Sequence, residues 1–70
     1  HDELYRALEE LPEQSRRIVV MTMNGLSNQE IAMQLNISQN TVKTLKLKAY
    51  RVLRERLKNV HWLLLFLLLH

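Results

Sequence analysis

The sequence predicts an all-α fold: a small four-helix domain containing a helix-turn-helix, followed by a C-terminal apolar helical extension. Three observations carry that prediction. Apolar residues recur at spacings of three and four along most of the chain, the signature of helices with one buried stripe. One glycine and one proline among 70 residues leave few places for the tight connections of an all-β domain. Residues that start and stop helices stand singly between the apolar stretches, as at Pro12, Gly25, Ser27 and Ser38.

Residues 2 to 10 place Leu4, Leu8 and Leu11 on one stripe of a short helix, with Asp2 and Glu3 at the positive end of its dipole. Leu11-Pro12 stops it, because proline restricts the residue before it, and Pro12 can open a second helix with Glu13 beside it. Ile18-Val19-Val20 would suit a strand, but the interval from a proline start to the stop at Gly25 reads as helix. Ser27-Asn28-Gln29-Glu30 has the form of a capping box and begins a third helix. That helix is short, since Asn36 tolerates left-handed geometry and Ser38 offers the next N-cap. The fourth has no breaker and is expected to run from Ser38 to Asn59, roughly 33 Å, with Val42, Leu45, Ala49, Val52 and Leu53 as its apolar stripe.

A mass of 8.4 kDa allows one domain, assigned to residues 1–59 with a tail at 60–70. At this size folding buries only about 60% of the surface the unfolded chain exposes, so the core is modest. Absence of cysteine removes disulfide frameworks, cysteine zinc sites and thiol catalysis. His1, His61 and His70 have no metal-ligand spacing, and the acids cluster on an exposed amphipathic segment without a pocket motif. The expectation is a non-enzymatic module with no cofactor and no metal.

The net charge of +3 is a difference between unlike segments. Residues 1 to 14 sum to −4 and residues 15 to 59 to +7, the sums being five acids against Arg6 and nine basic residues against Glu30 and Glu55. Two helices joined by a three-residue turn, the second longer and basic, suggest a helix-turn-helix whose second helix enters the DNA major groove. Ala32 allows a close helix crossing, Asn36 takes the turn, and Ile31, Leu35, Ile37, Val42 and Leu45 form a small core between the pair. A rotation of about 100° per residue puts Asn40, Thr44, Leu47, Lys48 and Arg51 opposite Val42, with Thr41 and Lys43 at the flanks. Only the amino-terminal part of such a helix reaches base edges, so Gln39, Asn40, Thr41, Lys43 and Thr44 are the expected base readers. Lys46, Lys48 and Arg51 are expected at phosphates or the groove edge. Ser27, Asn28 and Gln29 are further phosphate candidates because the first helix of the motif crosses the backbone, although helix capping alone explains the serine. Arg16 and Arg17 either pair with Glu13 or neighbouring acids, or touch phosphate upstream of the motif.

On these residues the chain resembles region 4, the carboxy-terminal domain of bacterial sigma factors, and in particular the extracytoplasmic-function (ECF) class. The matching stretches are Ala7-Leu8-Glu9-Glu10-Leu11-Pro12-Glu13-Gln14-Ser15-Arg16-Arg17, Asn24-Gly25-Leu26-Ser27-Asn28-Gln29-Glu30-Ile31-Ala32, Thr41-Val42-Lys43 and Lys48-Ala49-Tyr50-Arg51-Val52-Leu53-Arg54. The resemblance implies a cytoplasmic domain that binds the promoter −35 element through its last helix while docked on the β flap of core RNA polymerase. It also implies masking by an anti-sigma factor. The Gly25-to-Ala32 segment is equally similar to the DNA-binding domain of quorum-sensing-type response regulators. Those regulators usually carry a histidine where Leu45 stands, and the Leu-Pro-Glu start and the Lys-Ala-Tyr-Arg-Val-Leu-Arg run favour sigma.

Trp62 to Leu69 are eight consecutive apolar residues. As a helix they would extend about 12 Å against a hydrocarbon core of about 30 Å, too short to span a bilayer. Folding against the core, self-association through residues 60–69, a docking strip for polymerase or an anti-sigma factor, and peripheral membrane contact are the readings open to the tail. His1 in place of an initiator Met suggests a fragment or a processed chain.

Overall fold

The computed structural model describes residues 2–57, which form four α-helices and no strand. They are α1 (Asp2–Glu9), α2 (Glu13–Met23), α3 (Asn28–Leu35) and α4 (Gln39–Arg56). The expected apolar extension and the boundary at residue 59 lie outside the described residues.

Local chemistry sets the helix ends. Pro12 is the N-cap of α2 in an extended conformation (φ −54°, ψ 152°), so the helix proper begins at Glu13. At the far end Gly25 takes φ +93°, and its N–H donates to the Thr22 carbonyl while that of Leu26 donates to Met21. This pair of bonds is a Schellman closure, which favours glycine at the left-handed position. Asn36 performs the same function for α3 at φ 57°, ψ 47°, with the Ile37 N–H donating to Ala32. The capping box forms as expected: Glu30 N–H donates to Ser27 Oγ at 3.1 Å, and Ser27 N–H donates to Glu30 Oε1 at 2.8 Å. Ser38 caps α4 by accepting from Thr41 N–H at 3.0 Å.

Two apolar clusters hold these pieces together. The first gathers Leu4, Ala7, Leu8 and Leu11 with Val19, Ala49, Leu53 and Leu57, Tyr50 packing against it. The second consists of Ile18, Ile31, Ala32 and Val42, flanked by Met21, Leu26, Leu35, Ile37 and Leu45. Adjacent residues on α2, Ile18 and Val19, therefore point into different clusters. α4 runs through both, packing against all three other helices. Its carboxy-terminal half is clamped by α1 and α2, and its amino-terminal half rests on α2 and α3.

The structure corrects two expectations about α4. It ends at Arg56, not Asn59, because Leu57 leaves helical geometry (φ −113°, ψ 52°) and turns its side chain, 1% exposed, into the first cluster. Its 18 residues span about 27 Å. Val52, assigned to the apolar stripe, is 37% exposed, whereas Leu53 is fully buried. The buried row is Val42, Lys46, Ala49 and Leu53.

Candidate nucleic-acid interface

In the first turns of α4, Val42 enters the second cluster while the side chains around it face outward. Gln39, Asn40, Thr41, Lys43 and Thr44 are all exposed, as are Lys48 and Arg51 farther along. Asn40, Thr44 and Lys48 follow one another at intervals of four and so share a ridge, which Arg51 extends. Leu47, 45% exposed, adds an apolar element to that face. The Thr41 hydroxyl lies 2.8 Å from Ser38 Oγ, so it is tied to the cap as well as being exposed.

These side chains suit base recognition chemically. An Asn amide can make a paired donor–acceptor contact with adenine, a Lys can donate to guanine, and a Thr methyl can pack on the thymine methyl. Val42 anchors the presenting turn from below at 0% exposure. Ala32, 6% exposed, is the small residue where α3 and α4 cross.

The start of α3 supplies a second set of polar side chains. Ser27 and Gln29 are exposed and Asn28 is half-buried. Glu30 closes the capping box, and the Ser27 backbone N–H, with a smaller contribution from its hydroxyl, holds the Glu30 carboxyl below its ordinary pKa.

Lys46 departs from its expected place on the basic face. It is 8% exposed, and its ammonium donates to Asn28 Oδ1 at 2.9 Å. Burial pushes its pKa below the usual lysine value, since desolvation disfavours the charged form. The signal was present in the spacing: Lys46 lies four residues after Val42 and seven before Leu53, on the buried row. Sequence reasoning grouped it with the neighbouring cations and missed its pairing with Asn28.

An ion pair joins Arg56 to Glu10 at 2.7 Å, whereas a pairing of Arg16 or Arg17 with Glu13 is not found among the described residues. Arg16 and Arg17 line an open groove of about 420 Å³ between α2 and α3, together with Val20, Met21, Gln34 and Leu35. Glu3, Glu9, Glu10 and Glu13, in α1, the turn after it and the start of α2, are exposed, and Glu10 meets one of the exposed cations of α4, Arg56. Among the described residues no cluster of metal-ligating side chains occurs, and no helix is long and apolar enough to cross a membrane.

A family model described as sigma-70, region 4, matches residues 1–53. The chain belongs to the sigma-70 region 4 family. The match runs from the first helix through Leu53 and thus contains both apolar clusters apart from Leu57, and the helix-turn-helix apart from the last three residues of α4. Region 4 domains are non-enzymatic DNA-binding modules, and membership implies interaction with promoter DNA and RNA polymerase in general. No curated protein and no solved structure gives a significant match.

Proposed function

We propose that the domain acts in a sigma factor of the extracytoplasmic-function class, in the cytoplasm, binding the promoter −35 element while docked on the β flap of core RNA polymerase. The observation that carries this reading is the exposed amino-terminal half of α4 within a chain of the region 4 family. Gln39, Asn40, Thr41, Lys43 and Thr44 read bases; Ser27, Asn28, Gln29, Lys48 and Arg51 position the helix on phosphates. The acidic α1 side is left for protein contacts. An anti-sigma factor masks one or both surfaces, and residues 60–70 form a separate tail able to mediate self-association.

Phosphate contacts fix register, base contacts select sequence, and polymerase supplies the remaining affinity. With Lys46 buried, α4 offers Lys43, Lys48 and Arg51 as exposed cations facing DNA. Neutralising the two phosphates met by Lys48 and Arg51 gives a slope of log affinity against log salt of about −1.8, and adding Arg16 and Arg17 brings it to about −3.6.

Footprinting of the full-length protein with and without core polymerase tests the reading. Protection centred on the −35 element that depends on polymerase is the expected result. Protection of a palindrome by the protein alone would replace it with the response-regulator reading, which the family match does not favour. Asn40→Ala and Lys43→Ala should each impair −35-dependent transcription, and normal transcription from both removes α4 as the reader.

A further inference from the structure

We propose that Lys46 is a positioning residue for DNA binding: its ammonium fixes the side-chain amide of Asn28 so that the Nδ2 donor is presented to a backbone phosphate. The inference rests on the reading of Asn28 as a phosphate contact.

An ammonium group has three donors and no acceptor, so only Oδ1 of a neighbouring amide can face it. The 2.9 Å bond from Lys46 Nζ to Asn28 Oδ1 therefore decides which way the amide lies. Because the amide is planar, its Nδ2 group is directed away from the lysine. Among the described residues no acceptor engages that Nδ2. Without the lysine either flip would be open, and half of them would turn Oδ1 outward, toward the phosphate it should not meet.

Asn28 opens α3, whose capping box is completed by Ser27 and Glu30 and makes no use of the Asn28 side chain. The amide is thus spare to the helix and is held from beneath by another helix, eighteen residues away in sequence. Stability does not account for the lysine. Burying an ammonium costs solvation, and an apolar side chain of similar length in such a place is often neutral or better. The lowered pKa of Lys46 shows the same cost from the side of the proton equilibrium. A residue whose charged group is partly desolvated while it orients a surface donor is explained by the donor.

The test measures affinity of the full chain for a mixed-sequence DNA duplex over a range of salt, since phosphate contacts are independent of promoter sequence. Lys46→Met, Lys46→Arg, Asn28→Ala and the Lys46→Met/Asn28→Ala double variant are compared, each checked for helical content. Asn28→Ala should weaken binding by about 3- to 10-fold, the value of one hydrogen bond, and Lys46→Met by about 2-fold, because half of the freed amides still present Nδ2. The double variant should be no weaker than Asn28→Ala alone, as expected when both act through one contact. Lys46→Arg, which like lysine has donors and no acceptor, should bind as the parent does, and none of the variants should change the salt slope, because the phosphate is met by a neutral amide.

A Lys46→Met slope shallower by about 0.9, with losses that add to those of Asn28→Ala, would place the ammonium itself on phosphate and overturn the proposal. Unchanged binding in Lys46→Met and Asn28→Ala, alongside weakened binding in Lys43→Ala, would remove the lock while leaving the DNA-binding reading intact. No binding by the parent chain even at about 10 mM salt, where phosphate contacts are strongest, would remove both.

Discussion

Leu53→Ala and Val52→Ala, one residue apart on α4, should have opposite consequences. Leu53 is fully buried among Leu4, Leu8, Leu11, Val19 and Leu57, so truncation removes transfer energy and leaves a cavity walled by two other helices. A loss of about 3 kcal/mol is expected, within the range of about 2–5 for buried leucines. A chain of this length is stable by about 4–10 kcal/mol, so the single change removes a third or more. The midpoint of thermal unfolding should fall by about 12–24 °C. Val52 is 37% exposed and faces the flank of α4 beside Arg51, Glu55 and Arg56. Its truncation gives up little burial and gains helix propensity, leaving stability within about 0.5 kcal/mol of the parent. Thermal and urea unfolding followed by far-ultraviolet circular dichroism measure both. A difference between the variants below about 1 kcal/mol would mean that α4 is rotated from the orientation described, and the assignment of Lys46 to its buried row would fail with it.

Other consequences can be measured in the same way. Gly25→Ala should cost about 1 kcal/mol, because nothing lies within 4 Å of a Cβ at that position and only the left-handed backbone (φ +93°) opposes it. A urea-midpoint loss above about 3 kcal/mol would show crowding instead. Lys46 releases its proton at lower pH in the folded chain than in the unfolded one, so the unfolded state binds more protons between the lowered pKa and the ordinary value of about 10.4. Parent stability relative to Lys46→Met should therefore rise as pH increases through that interval, and urea midpoints that fall relative to the variant would reverse the sign. Arg56→Ala should cost less than about 1 kcal/mol, since both partners of the Glu10 ion pair are solvated, and the difference should fade in about 1 M salt.

Features legible in the sequence are those fixed by chemistry a few residues long. Ser27 with Glu30, Ser38, Asn36, Gly25 and Pro12 each satisfy or free a nearby backbone group, and each marks a helix end as expected. Ala32, Ile31 and Val42 were legible too, because the helix-turn-helix core is built from one short stretch. The rotation of the distal half of α4 was not. Val52 and Leu53 are adjacent and both apolar, and only the docking of Leu4, Leu8 and Leu11 from the far end of the chain selects the second. The same long-range packing draws Leu57 inward and ends the helix. Lys46 escaped because its charge was read before its phase, and a lysine stem can be buried while its ammonium finds an acceptor.

The candidate interface is inseparable from the fold for a reason of length. α3 has eight residues, fewer than an isolated helix needs in water, so caps at both ends and burial of Ile31 and Ala32 sustain it. The reader turns of α4 are anchored by Val42 in that same cluster, while the rest of α4 is gripped by the other cluster through Ala49, Leu53 and Leu57. Both clusters draw on α2, through side chains one residue apart. A change at Val19 or Leu53 can therefore shift the turns proposed to read bases without touching them, by letting the long helix pivot about Val42. Loss of DNA binding in a variant of the first cluster is evidence of contact only when the helix has been shown to keep its place.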